Sequence, residues 1–572
     1  MPPTTSPLND ANDGLLYVTM QPKPSLPLAR FHDWYNNEHG PGRLRLPFVP
    51  TGFRYRATDG RAPSPETPEW VAVYDIKDMD ELTRETYTRL RAPPVQSQRE
   101  RDTMKEITIR RRFYDFIPGA EWTAPGYVGH EAVGEEGRKR VLLSVLLTLR
   151  EGQEAEREER LGKWYAEEDV GLLQKVPGWL RTRRFVTSRH ETAEGKREFL
   201  ALHEFEVEKY LGEEEFRKAV STEWARKIFE EVVDEKKVRR VYESYYTFGA
   251  APRDLGCLES EEVVPAESTD GKTRTTPKQE QKRAVIESYV TTKDGVELPY
   301  RLEGSSDPQA PLIVLCNSIL VEMGIWDAFI DAFLSRAENK KFRILRYHTR
   351  GRSSNSGSEP VTVDLLASDI ISLLDALRVP RAAAVIGVSL GGATALNVGL
   401  KHPDRVATFV ACDTNANSPA GNSKAWGERI AMAEKEGAQG QGEAVVGEEL
   451  AEATVRRWFV KESYDGGKME AEIERVKKMV ATNSLAGFKH SVQALFDYDL
   501  REEMKSYTGE GWDSGEGAFL VGGGDGVLPK TMKEMSESLG QGAPYFVVEG
   551  AGHLPMVEKP EQVALYVSEF LH

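Results

Sequence analysis

The residues best suited to chemistry are a serine, an aspartate and a histidine that lie far apart in the second half of the chain. Ser389 stands in Gly387-Val388-Ser389-Leu390-Gly391-Gly392, a G-x-S-x-G pattern between the apolar run Ala382–Val388 and the helical pattern Gly392–Lys401. A sharp strand-to-helix turn demands unusual backbone angles and close packing, hence small residues on both sides of the serine. A serine hydroxyl is a weak nucleophile and needs a positioned base. His553 fits that role. It sits in Gly550-Ala551-Gly552-His553-Leu554-Pro555, after an apolar run and before the last helical pattern. Asp525, in Gly522-Gly523-Gly524-Asp525-Gly526, follows the run Ala518–Val521 and completes the chain order Ser, Asp, His. Its part would be to hold the imidazole tautomer and stabilise the imidazolium. Asp413, after the run ending at Cys412, is the rival acid. The chemistry expected is acyl transfer. Two N–H groups would hold the oxyanion: the amide of Leu390 at the helix start, and that of Ile319 in the loop Asn317-Ser318-Ile319, where Ser318 permits a tight turn.

These side chains need a frame. Apolar runs at Leu312–Cys316, Phe342–His348, Ala382–Val388, Val406–Cys412, Gly517–Gly522 and Tyr545–Val548 read as strands. Helical patterns at Val363–Leu377, Gly392–Lys401 and Pro560–Phe570 alternate with them, which implies a parallel sheet covered on both faces. Asp294-Gly295 marks a hairpin ahead of this region. The stretch from about 415 to 503 is mostly helical and interrupts the alternation, as a cap over the strand ends would. In it, Trp426, Trp458 and Phe488 are candidates to line a substrate pocket, with helix packing the competing reading. Ser318 is a further candidate substrate contact.

The first half repeats itself. Trp34-Tyr35 matches Trp164-Tyr165, Pro47 matches Pro177 and Arg54 matches Arg184, at a constant spacing of 130 residues. Each copy reads strand, helix, strand, strand, helix, strand, the order of a ferredoxin-like split βαβ unit. In the second copy the helices are expected at about 151–173 and 213–233. The copies span 1–118 and 139–249, with a break at about Pro118–Arg138. A Pro-, Gly- and charge-rich stretch at 250–282 reads as a linker. His39, Glu38 and His32 are candidates for acid–base work in copy one; Asp169 replaces the histidine in copy two.

Two resemblances follow from these motifs. Trp34-Tyr35 with Glu38-His39, Pro41, Pro47 and Gly52-Phe53-Arg54-Tyr55 resembles the EthD-like branch of the dimeric α/β-barrel superfamily. Asn317-Ser318, Ile325-Trp326-Asp327, Thr349-Arg350-Gly351, the serine motif, Arg457-Trp458-Phe459 and Gly552-His553-Leu554-Pro555 resemble the 3-oxoadipate enol-lactonase branch of the α/β-hydrolases, over about 285–572. His348 departs from that pattern, as does the Gly-rich acidic stretch Gly437–Glu449. The resemblances imply α/β plus α+β architecture: a C-terminal α/β-hydrolase at 283–572 with a helical cap, and an N-terminal duplicated ferredoxin-like α+β barrel. They imply a serine hydrolase for a small lactone or carboxylic ester, often acidic, with no metal and no organic cofactor. An alternative is that the N-terminal module carries acid–base chemistry through His39, or is only a binding or dimerisation element.

Composition narrows the partners. The chain of 572 residues carries 91 acidic and 75 basic side chains, a net charge of -16 that repels nucleic acid and acidic membrane surfaces. Three cysteines, Cys257, Cys316 and Cys412, make no disulfide framework and no metal cluster. The start of the chain lacks a basic segment followed by an apolar core, so a cytoplasmic location is expected. Duplication would satisfy within one chain the pairing that relatives reach by dimerising, so this half need not oligomerise; a homodimer of the whole chain stays open.

Overall fold

The structure is a computed structural model that describes residues 8, 10–130, 140–191, 196–234, 238–507, 517–540 and 542–572. It divides into two compact units. One runs to Pro252 and takes in Ala266–Gly271; the other comprises Arg253–Pro265 and Lys272–His572.

In the first unit eight strands close into a barrel: β1 (Gly14–Pro22), β2 (Thr51–Ala57), β3 (Trp70–Ile76), β4 (Ile107–Thr123), β5 (Val141–Thr148), β6 (Trp179–Thr187), β7 (Glu198–Phe205) and β8 (Val238–Thr247). Around the barrel they run β1-β3-β2-β8-β5-β7-β6-β4, and neighbours are antiparallel. Successive side chains on a strand face opposite ways. One set fills the barrel interior, with Tyr17, Tyr55, Val73, Tyr114, Phe185, Leu200 and Tyr242 among it. The other packs against two separate helical layers, around Trp34 and Tyr35 in one and around Trp164 and Tyr165 in the other.

Two expectations change here. The break foreseen from Pro118 is strand as far as Thr123. β4 pairs with β1 as far as Asp115 and with β6 from Tyr114 to Thr123, across an irregularity between Phe116 and Glu121, so backbone pairing continues where the apolar pattern stops; residues 131–139 lie outside the described residues. The single helix expected over 213–233 is three short pieces, Glu214–Ala219, Glu223–Lys227 and a π-helical turn Ile228–Val232, because Thr222 starts a new helix by accepting from the Ala225 amide.

The second unit contains β9 (Arg274–Thr276), β10 (Val285–Thr291), β11 (Glu297–Gly304), β12 (Leu312–Cys316), β13 (Arg343–Tyr347), β14 (Ala382–Val388), β15 (Val406–Cys412), β16 (Ala518–Gly522) and β17 (Tyr545–Val548). They are ordered β17-β16-β15-β14-β12-β13-β11-β10-β9. From β13 to β17 all pairs are parallel; β9 to β11 are added antiparallel. β12 and β16 are buried along their whole length, which explains their unbroken apolar sequences. The stretch expected as a linker is partly built structure. β9 pairs with β10, while Gly256–Glu259 and Lys278–Glu280 form 3-10 turns. Backbone pairing and the Thr273–Ser288 side-chain hydrogen bond order it without an apolar period. Between β15 and β16 the helices Asn422–Glu436, Glu448–Trp458, Glu470–Ala481 and Leu485–Ser491 make up the insertion. No helix among the described residues is long and apolar enough to cross a membrane.

Candidate active site

β14 ends in a turn that only small neighbours allow. Ser389 has φ 58° and ψ −118°, a conformation costly for any residue with a Cβ. Its amide donates to the Cys412 carbonyl at 2.9 Å, and its carbonyl accepts from Thr414 Oγ1 at 2.8 Å, so β15 and the loop after it hold the strain in place. A side chain at Gly387 would strike the Gly391 backbone, and one at Gly391 would strike the carbonyls of Cys316 and Asn317. The helix Leu390–Lys401 starts immediately, leaving its first amides without intrahelical partners.

Two loops at the same end of the sheet bring in the other groups. After β16, the amide of Gly524 donates to the Ala551 carbonyl at 2.8 Å and that of Asp525 to the Gly522 carbonyl at 3.0 Å. After β17, His553 donates its amide to the Trp458 carbonyl at 2.7 Å, and its ring stacks on Trp458 with centroids 5.6 Å apart. Its Nδ1 lies 2.7 Å from Asp525 Oδ2, which leaves Nε2 as the free ring nitrogen. Ser389, His553 and Asp525 line one cavity of about 210 Å³, together with Ile319, Trp426 and Trp458.

Asp413 also reaches this cavity, but in a different state. It is 1% exposed, and its Oδ1 accepts from the Gly522 amide at 2.8 Å. Burial, then the neighbouring Asp525 charge, push its carboxyl well above the usual range, with the Gly522 amide opposing. Asp413, Asp525 and His553 present ligand atoms within 4.8 Å of one another, a spacing that would suit a cation.

Other expected residues divide. Trp426 lines the cavity and Phe488 lies fully buried behind it, ring edge to face at 6.0 Å. Ser318 is a correction to the substrate-contact expectation. It is 1% exposed, outside the cavity lining, and its Oγ has no hydrogen-bond partner. The loop is fixed instead by Asn317, whose Nδ2 donates to the Tyr347 carbonyl at 2.7 Å and whose Oδ1 accepts from Trp326 Nε1 at 3.1 Å.

Three cavity-region residues escaped the sequence reading. Arg429 and Arg457 line the cavity, and among the described residues neither forms an ion pair. Burial and the nearby Arg429 charge lower Arg457 to about 10. Glu558 accepts from the Gly552 amide at 2.6 Å, the Val460 amide at 3.1 Å and Ser463 Oγ at 2.5 Å, tying the histidine loop to the cap. The Glu558-Lys559-Pro560 run was visible, but nothing local shows where that carboxylate points.

In the first unit, His39 ends a π-helical turn, Tyr35–His39, and a second such turn, Tyr165–Asp169, occurs 130 positions later. His39 Nδ1 lies 3.1 Å from Glu100 Oε1, and Arg43 reaches the same oxygen at 3.5 Å. Burial and the Arg43 charge lower His39 to about 4, with Glu100 opposing. Glu38 turns away from His39, to Ser97 Oγ and, at 3.7 Å, to Arg99. His32 contacts Arg54 at 3.2 Å and is lowered to about 2 by burial. The partner Glu100 was signalled by Ser97-x-x-Glu100, a helix-capping pattern whose serine accepts from the Glu100 amide at 2.9 Å.

A profile described as the alpha/beta hydrolase family matches residues 313–564. The chain is 28% identical over 282 residues to 3-oxoadipate enol-lactonase 1 of Acinetobacter baylyi, covering 49% of this chain and 96% of that one. It is 27% identical over 218 residues to 3-oxoadipate enol-lactonase 2 of the same organism, covering 37% and 73%. A crystal structure of the enol-lactonase from Burkholderia xenovorans LB400 aligns at 25% identity and TM-score 0.43, covering 50% of this chain and 99% of that one. The C-terminal part of this protein is an α/β-hydrolase domain with lactonase and esterase relatives, and the protein is a hydrolase.

Proposed function

We propose that the second unit is a serine hydrolase that cleaves a small lactone or carboxylic ester through an acyl-enzyme. The observation that carries the reading is the His553–Asp525 hydrogen bond at 2.7 Å beside a cavity that also holds Ser389 at a strained turn. Ser389 Oγ attacks the carbonyl carbon while His553 Nε2 takes its proton. The amides of Leu390 and Ile319 hold the resulting oxyanion. Collapse of the tetrahedral species expels the alkoxide, which takes the proton from His553. Water then attacks the acyl-enzyme with His553 again as base, releasing the acid and Ser389. Asp525 keeps the proton on Nδ1 throughout. Arg429 and Arg457 favour a substrate that carries its own carboxylate, because a guanidinium at the cavity wall without an ion-pair partner among the described residues can pair with an anionic ligand. Fluorophosphonate labelling followed by peptide mapping tests the reading: label at Ser389, absent from Ser389→Ala, is expected. Equal labelling of the folded variant would refute it.

For the first unit we propose a duplicated ferredoxin-like barrel of EthD-like type. Strand order β4-β1-β3-β2 in one copy is repeated as β8-β5-β7-β6 in the other. Arg54 lies over the Tyr35 ring at 4.6 Å, and Arg184 over the Tyr165 ring at 4.0 Å, the same stack in both copies. The His39–Glu100 pair favours a second reading, in which neutral His39 acts as a base through Nε2. An activity of the full chain that disappears in His39→Ala but survives Ser389→Ala would establish it.

A further inference from the structure

The barrel of the first unit encloses a second cavity, of about 130 Å³, remote in sequence from His39 and independent of the hydrolase reading. The period-two alternation of a strand puts Arg110, Arg112 and Tyr114 of β4 on one face, and Val238, Arg240 and Tyr242 of β8 on one face. All six line this cavity. Its inner wall is aromatic and apolar: Tyr17 and Tyr114 meet edge to face at 6.2 Å, and Leu200 and Tyr242 belong to the same interior cluster. Its polar groups sit above them. Tyr17 and Ser144 share a hydrogen bond at 3.1 Å, and Tyr114 donates to Glu198 Oε2 at 2.8 Å.

Carboxylates face these arginines, and Glu66 and Glu198 line the cavity with them. Arg240 is spent on Asp59 at 2.5 Å, and Arg110 on Glu198 at 3.3 Å. Arg112 is largely buried, yet its nearest carboxylates, Glu198 and Glu191, stand at 3.8 and 4.0 Å, beyond hydrogen-bond reach. Its guanidinium therefore keeps donors to spare at the edge of an aromatic chamber. A cavity of roughly 150 Å³ holds one benzene-sized ring, so this one, at about 130 Å³, takes at most a single ring, and the ring's substituent lies at the open mouth beside the arginine.

We propose that the barrel interior binds a single-ring aromatic carboxylate, its ring among Tyr17, Tyr114 and Tyr242 and its carboxylate on Arg112. The pairing is a charge-assisted hydrogen bond in a half-buried setting, and edge-to-face contacts favour an aromatic ring over an aliphatic one.

The test is calorimetric titration of the full chain with 4-hydroxybenzoate, against the neutral 4-hydroxybenzyl alcohol and the non-aromatic cyclohexanecarboxylate. One saturable site per chain is expected for 4-hydroxybenzoate, with both comparison compounds weaker by about tenfold or more. Arg112→Gln should weaken binding by a similar factor, and Leu146→Trp, which fills the cavity, should abolish it. Should Leu146→Trp fail to fold, Leu200→Phe narrows the same wall. Absence of saturable binding, or affinity unchanged in Arg112→Gln and in the folded filling variant, overturns the proposal. Binding that disappears in Arg457→Gln instead would place the ligand in the hydrolase cavity and overturn it equally.

Discussion

Two carboxyls compete for the role of triad acid in the proposed mechanism, and their surroundings differ. Asp525 is hydrogen-bonded to His553, whereas Asp413 is buried, accepts from the Gly522 amide and has its carboxyl raised well above the usual range by burial. Asp525→Asn keeps the size of the side chain but offers an N–H to Nδ1, which drives the ring proton to Nε2. That tautomer cannot accept the Ser389 proton. In the serine-triad template this substitution lowers kcat by about 10⁴, or roughly 5 kcal/mol of barrier. Asp413→Asn is the contrasting case. A carboxamide matches a neutral carboxyl in shape and keeps an acceptor for the Gly522 amide, so kcat should hold within about threefold. The same variant carries a stability signature. Asp413 has a folded pKa above its unfolded value, so the folded state holds the extra proton and stability falls as pH rises beyond the ordinary carboxylate range. Asp413→Asn removes that slope. Both effects can be read from p-nitrophenyl acetate turnover and from Tm measured between pH 4 and 8. Normal turnover in Asp525→Asn together with a collapse in Asp413→Asn would refute the assignment and the protonation argument at once.

Three further outcomes are expected. Arg457→Gln should raise KM for an ester bearing a free carboxylate by about tenfold or more while leaving a neutral ester of the same size nearly unchanged, as paired kinetics would show. Glu558→Gln turns one end of a three-acceptor carboxylate into a donor facing an N–H; a loss of about 1–3 kcal/mol, a lower Tm and a reduced kcat follow, checked by melting and turnover together. His203 is buried and lowered to about 3 by burial and then by Arg239 and Arg184. Its folded pKa is below its unfolded one, so its cost appears as pH falls below about 6.5, reaching roughly 2 kcal/mol at pH 5. His203→Gln should therefore flatten the drop in Tm between pH 6.5 and 5, and an unchanged slope would count against a neutral buried ring.

Much of this protein was written locally in the chain. The small residues around Ser389, the glycines before Asp525 and the short loop carrying His553 are each demanded by backbone sterics, so they can be read without knowing the fold. The same holds for β12 and β14, whose unbroken apolar runs reflect burial on both faces. The matching positions around Trp34 and Trp164 were legible because their order and spacing are kept across 130 residues. What the tertiary structure alone decided was which charged groups meet. Glu100 reaches His39 across 61 positions, Glu558 ties Val460 to Gly552, and Arg429 and Arg457 line the cavity with Ser389. Asp413 and Asp525 carry the same side chain, yet burial and the other's charge raise the Asp413 carboxyl well above the usual range. Local sequence fixes backbone conformation, but desolvation and through-space charge depend on neighbours that only folding supplies.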